Sequence, residues 1–173
     1  IDNYNCNFFS HMILTKEFVN TLSSKNNNTK IINMVSDTAY RAIPTRSSYC
    51  SSKASFRNFT EAMRVELKIY NIDCITVTPP KLDTKFFEKI QYFGYLNKEK
   101  LPYSDSRPFY PTKKFAEQII NGIENNKKHI GVFSITKIFL LINYLFPSIG
   151  DFMVEKLSTW KKIKEKILTE KKV

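Results

Sequence analysis

Tyr49 and Lys53 stand four residues apart, which on a helix puts a phenol and an ammonium on the same face. A phenol that titrates near 10 is a poor acid–base catalyst at neutral pH, and a neighbouring ammonium stabilises its phenolate. The pair is therefore suited to passing a proton to or from an oxygen. Spacing alone is weak evidence. With nine tyrosines and 22 lysines in 173 positions, one such pair is expected by chance, and Tyr110 with Lys114 is a second instance. Ser36 separates the two. It lies thirteen positions before Tyr49, at the end of an apolar run, where open parallel sheets keep their reactive groups; the matching position before Tyr110 is Asn97. A serine there can stabilise charge developing on a substrate oxygen. Tyr110, between Pro108 and Pro111, precedes its helix and reads as the chance match.

The elements that must position these groups alternate. Ile13, Leu14, Phe18 and Leu22 recur at helical spacing and end in a polar loop, Ser23 to Asn28. Ile31 to Val35 is a buried strand by length and bounding residues. A long helix, capped by Ser47 or Ser48, runs to about Tyr70 with Phe56, Phe59, Met63 and Leu67 on one face. Cys74 to Val77 is the next strand, stopped by Pro79-Pro80; a helix from about Thr112 to Asn125 and a strand from His129 to Phe133 follow. Strands joined by helices of this length pair in parallel. The final forty residues are helical, from the apolar Ile135 to Leu145, through a helix started by Pro147, to the lysine-rich Trp160 to Lys172.

Composition narrows the function. A hydrophobic content of 42% and a charged content of 25% fit one globular domain. The four glycines are too far apart for a phosphate-cradling loop. Three cysteines without a CxxC pair, and two isolated histidines, supply neither a disulfide framework nor a metal site. The net charge of +11 is concentrated at the end, where seven lysines face two glutamates from Lys156 onward. That is a basic tail and not a nucleic-acid groove. It reads as a solvated amphipathic helix or as a segment drawn to an acidic membrane surface. The apolar run from Ile138 to Gly150 is too short to span a bilayer.

Ile31 to Ser36, followed by Ser48-Tyr49-Cys50-Ser51-Ser52-Lys53-Ala54, resembles the catalytic core of the short-chain dehydrogenase/reductase family. More residues match in register: Asn7, Leu14-Thr15-Lys16, Arg64 to Leu67, Ile75 to Pro80, Leu82-Asp83-Thr84, and Pro111 to Ile123 with Ala116. The resemblance covers about residues 5 to 133, the C-terminal part of the family's domain. It is nearest to the branch of 11-beta-hydroxysteroid dehydrogenases and related membrane-associated reductases. It implies an α/β fold, a partial Rossmann-like doubly wound parallel sheet in which residues 1–134 are the second half of the nucleotide-binding domain and 135–173 an apolar-then-basic helical tail. The catalytic residues it implies are Ser36, Tyr49, Lys53 and Asn7, the last holding a water in the proton relay to Lys53. Tyr49, Lys53, Pro79, Leu82 and Thr84 would contact NADP or NAD. Pro80 departs from the family's glycine, removing an N–H beside the nicotinamide; Ser10 likewise stands for a glycine.

The implied reaction interconverts a carbonyl and an alcohol on a small apolar substrate, steroid- or lipid-like. The aromatic segment Phe86 to Pro111 suits closure over such a molecule or simple packing on the domain. Because the chain starts at Ile1 and the family's glycine-rich half has no counterpart in it, an upstream segment is expected. The alternative is a truncated, inactive member serving as a binding or membrane-associated module. The resemblance also implies a homodimer through the helices bearing Asn7 and Tyr49. It implies attachment to the endoplasmic reticulum membrane through the tail, with a cytoplasmic location as the alternative.

Overall fold

The structure, a computed structural model, describes residues 1–22, 29–86, 109–131, 134–157 and 164. Three strands form one sheet in the order β1 (Thr29–Met34), β2 (Ile72–Val77), β3 (His129–Ile130), and both pairings are parallel. Strand β2 sits in the middle and is buried on both faces. Its residues alternate accordingly. Ile72 and Cys74 pack with Leu67, Met63, Val19 and Leu22 on one side. Ile75 and Val77 pack with Phe115 and Ile130 on the other. A strand covered twice needs apolar residues at consecutive positions, which is why Cys74 to Val77 is unbroken by charge.

One face of the sheet therefore carries α2 (Ser10–Leu22) and α3 (Ser47–Glu66), and the other carries α4 (Thr112–Glu124). Helix α2 is preceded by a short turn, α1 (Asp2–Tyr4), and a π segment, Asn5–Phe9, so helical structure begins well before the periodic residues Ile13 to Leu22. Helix α3 ends in a 3-10 turn, Leu67–Tyr70, and is stopped by Asn71 in the left-handed conformation at φ 56°. The expected serine cap is absent. Arg46 occupies the cap position without a side-chain bond, Ser47 lies inside the helix, and Ser48 instead accepts from Asn3 at 3.1 Å.

The expected strand to Phe133 pairs only at His129–Ile130, because Gly131 turns the chain at φ 97°; residues 132 and 133 lie outside the described residues. A side chain at 131 would bring its Cβ to 2.2 Å from the Thr78 carbonyl oxygen, so both backbone conformation and close approach demand glycine. Helices α5 (Ser134–Leu145) and α6 (Pro147–Leu157) follow, as the apolar run and Pro147 lead one to expect. An Arg41–Asp151 ion pair joins α6 to the loop ahead of α3. The helix expected from Trp160 to Lys172 lies outside the described residues apart from Lys164.

Two measurements check this packing. Replacing Gly131 with alanine should lower stability by about 2–3 kcal/mol, read as a drop in the denaturant midpoint. Cys6 is exposed whereas Cys50 and Cys74 are buried, and burial pushes the Cys74 thiol up to about 11. Because the thiolate is the reactive form, a native-state thiol titration should label Cys6 quickly and the other two only on unfolding.

Candidate active site

Ser36 lies two residues beyond the end of β1, at the carboxyl end of the sheet, in extended conformation. Its hydroxyl caps a 3-10 turn, Asp37–Ala39, accepting from the Thr38 backbone N–H at 3.3 Å and from the Thr38 hydroxyl at 2.9 Å. It donates to Asp37 Oδ1 at 3.2 Å. Ser36 thus has a local structural use that the sequence does not announce. Tyr49 is in the first turn of α3, with the Ser36 hydroxyl close enough to favour its phenolate. Lys53, one turn later, donates from Nζ to the Met34 carbonyl at the end of β1, 3.2 Å away. The three residues singled out by spacing are brought together.

Their electrostatics depart from expectation in one respect. Burial, the larger effect, pushes the Tyr49 phenol above its usual value, and the nearby Ser36 hydroxyl only partly opposes it. Lys53 does not draw the phenol down. Its ammonium is turned to Met34, and burial lowers its own value. A raised phenol keeps its proton through neutral pH, which suits a donor.

Asn7 lies in the π segment, and its Nδ2 donates to Ser52 Oγ at 3.1 Å, so it reaches the helix of Tyr49 and Lys53. Ser52 was not among the expected site residues, although Asn3, Asn7, Ser48 and Ser52 share a four-residue spacing that foreshadows two matched contacts. Beyond β2, Pro79 is half-buried and Leu82 packs on the core cluster of Ile75, Val77, Phe115 and Ile130. Leu82 forms a parallel bridge with Tyr110, whose N–H donates to the Lys81 carbonyl at 2.8 Å. Asp83 accepts at its carbonyl from Thr112 at 3.3 Å, and Thr84 is exposed. Phe86 meets Tyr49 with ring centroids 5.9 Å apart; residues 87–108 of the aromatic segment lie outside the described residues.

The second YxxxK pair is built differently. The Tyr110 hydroxyl accepts from Gln118 at 2.7 Å, and Lys114 lies over the Tyr110 ring at 5.9 Å. Tyr110 is a wedge of the core between the β2 extension and α4.

One further observation bears on a bound group. Thr78 Oγ1, at the end of β2 next to Pro79, is buried and has no partner among the described residues. Together with the Lys53 ammonium and the exposed Thr84, this donor set fits the polar ribose and carboxamide of a nicotinamide nucleotide.

A family model described as short chain dehydrogenase matches residues 2–92, and the chain belongs to that family. It is 26% identical over 156 residues to an uncharacterized oxidoreductase, YxnA, of Bacillus subtilis, covering 89% of this chain and 43% of that protein. It is 29% identical over 137 residues to 3-ketodihydrosphingosine reductase of Dictyostelium discoideum, covering 79% of this chain and 40% of the relative. The chain therefore spans less than half the length of these curated relatives. Among solved structures, a short chain dehydrogenase of Burkholderia cenocepacia in complex with NADP superposes with a TM-score of 0.66 at 20% identity, covering 87% of this chain and 56% of the other. One of Burkholderia phymatum in complex with NAD gives 0.68 at 12% identity, with 84% and 57% covered. These likenesses show the fold, a partial Rossmann-like sheet with its helices.

Proposed function

We propose that this chain carries the proton-transfer residues of an NAD(P)-dependent oxidoreductase that interconverts a carbonyl and an alcohol on an apolar, steroid- or lipid-like substrate. The observation that carries the reading is the convergence of Ser36, Tyr49 and Lys53 at the carboxyl end of β1. When bound, a nicotinamide dinucleotide supplies or accepts the hydride. Tyr49 gives its proton to the carbonyl oxygen in reduction and takes one from the hydroxyl in oxidation. Ser36 donates a hydrogen bond to the same oxygen as charge builds on it. With a nucleotide bound, Lys53 would turn its ammonium from the Met34 carbonyl to the ribose and bring its charge beside the phenolate. Asn7, across from Ser52, holds water for the relay to Lys53. Thr84 and the Leu82 backbone would hold the carboxamide of a bound nicotinamide, with Pro79 beside it. Phe86 against Tyr49 and the likeness to a reductase of a long-chain ketone support the lipid-like end of the substrate range.

In the natural full-length protein, NADPH-dependent reduction of 3-ketodihydrosphingosine should fall at least about 100-fold on Tyr49→Phe. Reduction needs the protonated phenol, and burial raises its value, so the rate should hold through neutral pH and decline only as pH passes above 10. Full activity in Tyr49→Phe would sink the reading of Tyr49 as the proton donor, and no turnover by the parent protein would favour an inactive binding module.

The tail supports a second element of the proposal, peripheral contact with an anionic bilayer surface. Ile138, Leu141, Tyr144 and Leu145 of α5 and Ile149 and Phe152 of α6 are all exposed, with Tyr144 reaching 81%. Lys156 lies 5.6 Å from the Phe152 ring centroid, at the start of the stretch with seven lysines to two glutamates. Among the described residues no helix is long and apolar enough to cross a membrane. An apolar stripe edged by cations lies in the interface plane. Exposed apolar residues of α2 and α3, among them Ile13, Leu14 and Val65, support pairing of two copies through those helices. The protein should float with phosphatidylserine-containing vesicles and lose flotation on combined Leu141→Asp and Phe152→Asp. Unchanged flotation in that variant would leave the tail to the dimer.

A further inference from the structure

Helices α2 and α3, with the π segment ahead of α2, meet along a seam of constant register. Asn3 Nδ2 donates to Ser48 Oγ and Asn7 Nδ2 to Ser52 Oγ, each at 3.1 Å and each across 45 positions. One turn on, His11 and Phe56, again 45 apart, stack with ring centroids 4.6 Å apart. Four-residue ridges on both helices are in step. The two asparagine–serine bonds have the same length but different surroundings. Asn3–Ser48 is at the surface. Ser52 is fully buried, and its hydroxyl also donates to the Tyr49 carbonyl at 2.8 Å. A continuous chain of hydrogen bonds thus runs from Asn7 through Ser52 to the backbone of Tyr49.

Asn7 sits inside the π segment, Asn5–Phe9, where i→i+5 bonding departs from the regular helix. A residue there needs an outside contact to fix where its amide and the widened backbone point. Ser52, adjacent in sequence to Lys53, supplies that contact. We infer that Ser52 is a positioning residue, which locks the Asn7 carboxamide and the π segment against the turn of α3 that carries Tyr49 and Lys53. The inference rests on the proposed proton-transfer role of those residues. Alanine at 52 would keep almost the same volume but leave Asn7 Nδ2 without its acceptor and the Tyr49 carbonyl without that donor.

The test compares Ser52→Ala, Ser48→Ala, Asn7→Ala and the Asn7/Ser52 double variant in the natural full-length protein, with NADPH and 3-ketodihydrosphingosine as probe. Loss of Ser52 should lower kcat roughly tenfold with little change in KM, and raise the solvent deuterium isotope effect on kcat as proton delivery becomes slow. Asn7→Ala should do the same, and the double variant should be no slower than Asn7→Ala alone. Ser48→Ala, which removes the twin bond one turn away, should leave both readouts within about twofold of the parent, setting aside a general helix-packing effect. The inference is overturned if Ser52→Ala matches Ser48→Ala, or if the Asn7 and Ser52 losses multiply. Either result leaves the Tyr49 reading standing when Tyr49→Phe is inactive; an active Tyr49→Phe overturns both. Hydrogen exchange across residues 5–9, faster in Ser52→Ala than in Ser48→Ala, is expected whatever the substrate, and equal rates would also overturn the inference.

Discussion

Helix α3 is held far from its reactive end. Asn33 on β1 donates to the Thr60 hydroxyl at 3.0 Å inside the core, and Thr60 in turn donates to the Phe56 carbonyl at 2.8 Å. Four residues on, the Arg64 guanidinium reaches the Cys74 carbonyl at 2.9 Å, the Thr76 hydroxyl at 2.5 Å and His129 Nε2 at 3.2 Å, tying the helix to β2 and β3. Burial and the Arg64 charge keep His129 below its ordinary value, so the neutral ring accepts from the guanidinium. Tyr49 lies about 16 Å along the axis from Thr60 at 1.5 Å per residue. A tilt of a few degrees at the pinned end would move the phenol by about 1 Å, and displacements of that size cost rate steeply. The geometry at Ser36 depends on polar contacts that touch none of the reacting groups.

The two YxxxK pairs make the same point from opposite sides. Tyr49 lies beside a serine just past a strand end, whereas the Tyr110 hydroxyl accepts from Gln118 and its ring packs on the core. What distinguishes them is the element each tyrosine belongs to. A parallel sheet gathers the ends of its strands at one edge, and only a tyrosine delivered to that edge meets Ser36 and Lys53.

Much of this was legible in the sequence. Cys74 to Val77 read as a strand stopped by Pro79-Pro80, and the thirteen-residue step from Ser36 to Tyr49 picked out the pair that the fold brings together; Ile31 to Val35 read as a buried strand, but β1 is at the sheet edge with Ile32 and Met34 exposed. Helix ends were less legible. Ser47 and Ser48 read as caps, but Ser48 is used across the seam by Asn3, and local cap chemistry gave way to a tertiary contact. The electrostatic balance at Tyr49 was not legible either, because the direction in which Lys53 points is set by where β1 ends and not by the four-residue spacing. The π segment was invisible, since no residue type marks a change in hydrogen-bond ladder.

That segment also decides how the chain can change length. Each residue of an α-helix turns about 100° round the axis, so a helix is a phase-sensitive part and a loop is not. Asn5–Phe9 behaves as one residue of slack already built into the helical stretch from Asp2 to Leu22, letting Asn3 and Asn7 face the serines of α3 while His11 faces Phe56. Taking a residue out of it would restore a regular helix yet turn everything before it out of phase with α3. A loop in general carries no such phase, so the contacts with α3 fix the count of residues in Asn5–Phe9 where a loop would leave it open.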